Sequence, residues 1–325
     1  MREITYLEAI NEAITEEMRR DNTIILLGQD IGPYGGTFGV YKGIFDEFGE
    51  ERVRDGPLSE AATAGAGIGL AISGLRPVVE IEFIDFSTLV LDAIVNQASK
   101  MRYFFGGKVR VPLVLRMPSA SKLGLGAQHS QSLEAWFMHA PGLLVAMPST
   151  PYDAKGLLKA SLRQDNPVVF IEHVRLYKTK GKVPKDDYTV SFGQARVVRE
   201  GSDVTVIALA AMVPEATQVA DELEAEGISV EVIDPRTLSP LDRKTLIASV
   251  KKTGRAVITH EAYRTAGAGA EIGLSIVEGA FDHLIAPIQR VTGKDIPIPA
   301  GPLQEMAFPT RAELRTSIRE LLKGS

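Results

Sequence analysis

Three short stretches of this chain carry side chains suited to moving protons. Arg54-Asp55-Gly56-Pro57-Leu58-Ser59-Glu60 runs directly into Ala61-Ala62-Thr63-Ala64-Gly65-Ala66-Gly67-Ile68-Gly69. The spacing predicts Ser59 as the cap of a helix built of small residues, with Glu60 in its first turn. Gly and Ala let other backbone come close, so Glu60 is expected to face neighbours rather than solvent. A carboxyl so placed is either a structural ion pair that complements the helix dipole or, once desolvated, an acid able to hold and donate a proton. The second stretch is Val79-Glu80-Ile81-Glu82-Phe83-Ile84-Asp85-Phe86, where strand alternation predicts Glu80 and Glu82 on one face and Ile81 and Phe83 on the other. The third is the glycine-rich loop Gly124-Leu125-Gly126-Ala127-Gln128-His129-Ser130-Gln131. A loop histidine on a rigid scaffold can exchange protons near neutral pH, or simply cap a helix. Ser130 reads as a cap rather than a nucleophile.

Other motifs carry less. His139, His173, His260 and His283 lack the spacing of zinc ligands. Gly267-Ala268-Gly269-Ala270-Glu271-Ile272-Gly273 spaces its glycines as G-x-G-x-x-x-G, which is not the dinucleotide fingerprint, so it reads as a close helix–strand packing turn.

The elements that position these residues alternate. Thr5-Tyr6-Leu7-Glu8 is a capping box, and Leu7, Ile10, Ala13, Ile14 and Met18 follow at helical spacing. Strands are expected at 24–28, 77–83, 111–115, 143–147 and 168–171, and helices at 60–72 and 89–103. Another helix is capped by Thr150, with Pro151 at its first position. The two-sided apolarity of Ile24-Ile25-Leu26-Leu27 suggests a parallel sheet covered on both faces. The rhythm predicts a doubly wound, mostly parallel α/β domain over residues 1–180, with chemical groups at the carboxyl ends of its strands. Polar residues without periodicity then predict an exposed linker at 181–191. A second, smaller α/β domain is expected over 192–325, with strands at 204–208, 229–233, 256–259 and 288–291. Thr310 and Glu313 form the capping box of its last helix.

Composition bounds the rest. The chain has 325 residues, 45% hydrophobic and 24% charged, with a net charge of −5. An acidic balance argues against nonspecific nucleic-acid binding. With no cysteine there are no thiol nucleophiles, disulfides or Cys-bound metals. Met1-Arg2-Glu3-Ile4-Thr5 lacks the apolar core of a signal peptide, and no apolar run reaches the ~20 residues of a membrane helix. A cytoplasmic location is the expectation.

Four motifs in order carry a family resemblance: Pro57-Leu58-Ser59-Glu60, Gly74-Leu75-Arg76-Pro77-Val78-Val79-Glu80-Ile81-Glu82-Phe83, Ala127-Gln128-His129-Ser130-Gln131 and Pro148-Ser149-Thr150-Pro151-Tyr152-Asp153-Ala154-Lys155-Gly156. With Ile233 to Asp242 they resemble the beta subunit of thiamine-diphosphate-dependent 2-oxoacid dehydrogenases. That family includes pyruvate, branched-chain 2-oxoacid and acetoin dehydrogenase components. The resemblance implies a transketolase-like pyrimidine-binding domain followed by a transketolase C-terminal-like domain. It implies that Glu60 activates the coenzyme through its aminopyrimidine ring, and that Leu58, Glu82 and Phe86 line the pyrimidine pocket. Glu82 departs from the Met or Gln usual there. His129 would stabilise intermediates or protonate the lipoyl dithiolane. A structural potassium ion would be held near Leu113, Ser161, Leu162 and Asn166, although Gln164 stands where an Asp is common. The Gly-Asp-Gly motif that binds diphosphate through magnesium does not occur in this chain. An alpha subunit is therefore expected to hold that half of the site in an alpha2-beta2 heterotetramer. The implied activity is oxidative decarboxylation of a 2-oxoacid and reductive acylation of the lipoyl domain of a dihydrolipoyl acyltransferase core. The rival readings are an acetoin dehydrogenase beta subunit, a split transketolase half without lipoyl chemistry, and a catalytically silent scaffold.

Overall fold

The computed structural model describes residues 1–323. Contacts divide the chain into two units: Met1–Ala120 with Trp136–Phe192, and Ser121–Ala135 with the chain from Gly193 onward.

The first unit begins with β1 (Arg2–Thr5), α1 (Tyr6–Arg20), β2 (Ile24–Gly28), α2 (Ile44–Phe48), β3 (Val53–Asp55), α3 (Glu60–Ile72) and β4 (Arg76–Glu80). A 3-10 turn (Ile84–Leu89), a π-helix (Asp92–Ala98) and α4 (Ser99–Phe104) follow. Next come β5 (Val114–Ser119), α5 (Glu134–Met138), β6 (Leu144–Ala146), α6 (Pro151–Leu162), β7 (Val168–His173) and β8 (Lys180–Val183). The strands this unit gives its main sheet run in the order β6-β7-β5-β4-β2-β3, each parallel to its neighbour. Helices cover both faces, so β2, β5 and β7 are buried along their whole length. Each Ile, Leu or Val fully buried there contributes roughly 1.5–3 kcal/mol.

Local chemistry sets the element boundaries. The Thr5 hydroxyl accepts from the Glu8 N–H at 3.2 Å, and the Glu8 carboxylate accepts from the Thr5 N–H at 2.7 Å, closing the capping box of α1. Thr150 accepts from the Asp153 N–H at 3.1 Å, with Pro151 opening α6. α3 lies directly on β4 because Gly67 has no side chain: a Cβ there would meet Val79 Cγ2 at 2.6 Å. Ser59 occupies the N-cap of α3, but its hydroxyl makes no cap hydrogen bond.

Several regions differ from the expected pattern. The strand expected at 111–115 runs instead over Val114–Ser119. The strand expected to reach Phe83 stops at Glu80, so Glu80 and Glu82 do not share a strand face. The helix expected from Leu89 opens as 3-10 and π turns. The stretch expected to be linker is partly structured, since β8 pairs antiparallel with β1 from Arg2↔Val183 to Thr5↔Lys180. The polar character of β8 suits a short two-stranded ribbon with outward side chains.

The second unit holds β9 (Arg196–Arg199), β10 (Val204–Ala208), α7 (Met212–Glu224), β11 (Val230–Asp234), β12 (Thr237–Ser239), α8 (Arg243–Thr253), β13 (Ala256–Tyr263), α9 (Ala268–Ala280), β14 (Gln289–Gly293) and α10 (Arg311–Lys323). Its sheet runs β14-β13-β10-β11-β9, with only β9 antiparallel. Apolar faces of α7 and α10 close its core over Val204, Val206, Val232 and Val257. Thr310 and Glu313 form the expected capping box. The Gly267 to Gly273 stretch is a packing turn, because a Cβ on Gly269 would lie 2.7 Å from His260 Nε2.

Candidate active site

The carboxyl ends of β2, β3 and β4 lie side by side, and the loops that leave them carry the predicted residues. The Gly56 N–H donates to the Gly28 carbonyl at 2.8 Å, and the Gly32 N–H to the Asp55 carboxylate at 2.6 Å. Glu60 therefore starts α3 beside the loop that follows β2, and it is half-buried. α3 also packs on the 3-10 turn that carries Phe86. This brings the Glu60 helix and the Glu82–Phe86 segment to one edge of the sheet.

An aromatic chain backs that edge. Phe86 meets Phe83 edge-on with ring centroids 5.7 Å apart, Phe83 meets Phe38 at 5.6 Å, and Phe38 meets Tyr177 at 5.8 Å. Thr37 donates to the Glu82 carboxylate. Both Glu82 and Phe86 are half-buried. Leu58, expected to pack near the ring, is 75% exposed in this chain and stands at the rim.

Beneath lies a group of charges that sequence reading missed. Arg116 on β5 is fully buried. Its Nε and NH2 donate to both oxygens of Glu172 on β7, at 2.5 and 2.7 Å. Its NH1 donates to Glu80 on β4 and to the Tyr41 hydroxyl, both at 2.5 Å. The Tyr177 hydroxyl donates to Glu172 at 2.7 Å. Burial holds Glu80 above the usual carboxylate range: the Arg116 charge opposes the rise, and Glu172 reinforces it. The available signal was a charged residue directly after each of two apolar strands expected at 111–115 and 168–171, in Val-Leu-Arg-Met and Phe-Ile-Glu-His; both strands continue through it.

His129 belongs to the second unit. Its loop is tied there by Lys122 Nζ to the Pro309 carbonyl at 2.8 Å and by the Gly124 N–H to Gln304 at 2.5 Å. The Gly301 N–H adds a bond to the Gly124 carbonyl at 3.0 Å. His129 is half-buried. Ser130 is not a cap, since α5 begins only at Glu134 and the Ser130 hydroxyl is buried without a hydrogen-bond partner. Glu134 is fully buried, and neither of its oxygens meets a partner from another residue. Burial, with the Glu261 charge adding, pushes its carboxyl up to about 7.

The residues expected near potassium take part in hydrogen bonds within the chain. The Leu113 carbonyl accepts from the Val168 N–H at 2.8 Å, and the Ser161 carbonyl from the Gln164 N–H at 3.1 Å. Arg76 NH1 donates to the carbonyls of Leu162 at 3.2 Å and Gln164 at 2.7 Å. Asn166 Oδ1 accepts from Arg102 at 3.0 Å.

Residues 2–180 match the family model described as transketolase, pyrimidine binding domain, and residues 193–314 match transketolase, C-terminal domain. A solved structure titled a split gene transketolase, inactive beta4 tetramer, shares the fold with a TM-score of 0.80 over 98% of both chains at 23% identity. Fold and site thus define a two-domain transketolase-like protein. Among curated proteins, the chain is 44% identical to the 2-oxoisovalerate dehydrogenase subunit beta of Bacillus subtilis over 98% of each. It is 45% identical to a mitochondrial pyruvate dehydrogenase E1 component subunit beta-2 of rice, over 95% of this chain and 83% of that one. The corresponding subunit of Rhizobium meliloti is 43% identical, over 98% and 70%. The chain belongs to the family of E1 beta subunits of 2-oxoacid dehydrogenases. Among the described residues, no helix is long and apolar enough to cross a membrane.

Proposed function

We propose that this chain is the beta half of a thiamine-diphosphate-dependent decarboxylase acting on pyruvate or a branched-chain 2-oxoacid, which then acylates lipoyl groups on an acyltransferase core. The observation that carries this reading is the placement of Glu60. It is a half-buried acid at the start of α3, on the same sheet edge as an aromatic wall and a second carboxylate, Glu82. That donor set fits the pyrimidine end of the coenzyme: an acid for the ring nitrogen and apolar faces for the ring. It does not extend to the diphosphate end. The sequence has no Gly-Asp-Gly. An alpha subunit holding diphosphate and magnesium, in an alpha2-beta2 assembly, completes the proposal.

When bound, thiamine diphosphate supplies the electron sink for loss of carbon dioxide. The chain's own residues prepare it. Glu60 would hold a proton at the ring nitrogen. Phe86 and Phe83 would keep water from the ring face, which would strengthen a Glu60 contact by lowering the local dielectric. Leu58 is placed to close the rim once the partner subunit covers it. His129 is proposed for the acyl-transfer side. The deciding experiment is co-expression with the alpha partner and an assay of 2-oxoacid-dependent acylation of a lipoyl domain. Activity that needs both subunits and thiamine diphosphate supports the reading. A beta chain fully active alone, or an assembly active only on ketose donors, overturns it.

A further inference from the structure

The loop after β2 is clamped at three successive points. Thr37 donates to Glu82, Phe38 packs between Phe83 and Tyr177, and Tyr41 is held by Arg116. The loop is also wound tightly. Gly36 has φ +84, and a Cβ on it would lie 3.0 Å from the Tyr41 ring. Its own backbone bonds run from the Gly36 N–H to the Asp30 carbonyl and from the Tyr41 N–H to the Gly35 carbonyl, at 2.8 and 2.9 Å. Two of the three clamps reach the exit of β4, where Glu82, Phe83 and Phe86 form the wall. The third reaches the charge cluster.

We infer that Arg116 is a positioning residue: its buried guanidinium locks the Gly32–Gly43 loop to the exit of β4 and so fixes the shape of the coenzyme wall. The inference rests on the reading of that wall proposed above. Only a planar fork of donors can take Glu172 in two parallel bonds while a remaining N–H reaches Glu80 and Tyr41. The arrangement ties the ends of β4, β5 and β7 to the loop in one register. Stability alone gives a poor account of the cluster. Two desolvated carboxylates share one guanidinium, and well-packed apolar side chains of similar volume often serve a core as well. A rigid directional lattice is what apolar packing would not supply.

The test uses the full chain and its assembly with the alpha subunit, with Tyr41→Phe, Arg116→Lys and Arg116→Met. Two quantities are read: hydrogen exchange of the amides at Gly36, Gly39 and Tyr41, and the thiamine diphosphate concentration for half-maximal activity. Tyr41→Phe is expected to speed loop exchange about tenfold, the size of one lost hydrogen bond to a charged group. It should raise the coenzyme requirement similarly, with kcat at saturating coenzyme unchanged within about twofold. Arg116→Lys should fall between wild type and Arg116→Met. Unchanged loop exchange in Tyr41→Phe overturns the inference, as does a fall in kcat with no change in coenzyme requirement. If Arg116→Met fails to fold, Tyr41→Phe still decides. If the wild-type assembly takes up no thiamine diphosphate, the functional reading fails, while loop exchange continues to judge the positioning role.

Discussion

Two buried sets of ionisable side chains, one in each unit, are built in opposite ways. In the first, Arg116, Glu80, Glu172 and two tyrosines form a connected cluster in which each carboxylate touches the guanidinium. In the second, Glu134 and His260 are buried without an opposite charge bonded to them, and each is driven toward its neutral form. Burial takes Glu134 up to about 7, and burial together with the Arg290 charge takes His260 down to about 4. His260 is left neutral and accepts from the Gly269 N–H at the start of α9, at 3.1 Å. The difference follows from pairing: Glu134 and His260 lack a bonded opposite charge, whereas each carboxylate of the Arg116 cluster has one.

On that contrast, removing Glu60 from the first unit should lower rate, and removing Glu134 from the second should change stability with pH. The largest expected effect is Glu60→Gln. It should lower 2-oxoacid decarboxylation by the alpha–beta assembly at least ~100-fold, within the usual range for general acid–base groups. Size-exclusion chromatography should still show the intact assembly. Retained activity would break the contrast at its first term. His129→Ala tests a carrier of chemistry that lies in the second unit. Lipoyl-domain acylation should fall roughly 10²-fold, while decarboxylation measured with an artificial electron acceptor stays within about twofold. If both steps fell together, His129 would have to be placed with the decarboxylation machinery.

These outcomes bear on how far the sequence could be read. Two apolar strands were legible to the residue, Ile24–Gly28 and Val204–Ala208, because a strand buried on both faces has one composition, whereas the strand expected at 111–115 runs over Val114–Ser119. The helix start at Glu60 was legible because a hydroxyl residue, a proline and a run of small residues mark it locally, even though the Ser59 hydroxyl does not cap it. Arg116 was not, since its meaning depends on Glu80, Glu172 and Tyr41, which are 36, 56 and 75 positions away. The strand end at Glu80 was also misjudged: alternation continues through Phe83, but the backbone turns into a 3-10 helix at Ile84. Ser121–Ala135 grouped with the second unit through Lys122 and Gly124, contacts that no local pattern announces.

The buried acid of the second unit gives the next effect, a pH dependence with a worked sign. Glu134 has a folded pKa of about 7 against an ordinary 4.5, so the folded chain holds its proton more tightly than the unfolded chain. Its contribution is present below about pH 4.5 and is lost as pH rises through about 7. His260 has a folded pKa of about 4 against 6.5, so its contribution is present above about 6.5 and is lost as pH falls through about 4. The slopes oppose each other between pH 4.5 and 6.5, and the isolated chain should show a nearly flat Tm there. Glu134→Gln removes one slope. The variant should gain on the order of 2 kcal/mol over wild type at pH 8, match it near pH 4, and show a Tm that rises between pH 4.5 and 6.5. A variant less stable than wild type at pH 8 would mean that the Glu134 carboxylate has a stabilising partner, and the contrast between the units would fail.

The smallest effect separates two caps that look alike in sequence. Thr5 and Ser59 both precede helices as hydroxyl residues, yet only Thr5 uses its side chain, accepting from the Glu8 N–H while the Glu8 carboxylate accepts in return. Thr5→Ala should therefore cost about 1 kcal/mol, seen as a lower urea midpoint at constant slope. At Ser59 the bonds that start α3 come from its backbone. Its carbonyl accepts from the Thr63 N–H and the Thr63 hydroxyl, both at 3.0 Å, and both survive replacement by alanine. Ser59→Ala should leave the midpoint of the isolated chain within roughly 0.3 kcal/mol of wild type, below the usual cost of losing a cap. If Ser59→Ala destabilises as much as Thr5→Ala, the Ser59 hydroxyl is a working cap, and Glu60 begins α3 for ordinary helical reasons. If it is neutral alone but raises the coenzyme requirement of the assembly, the hydroxyl next to Glu60 serves the pocket rather than the helix.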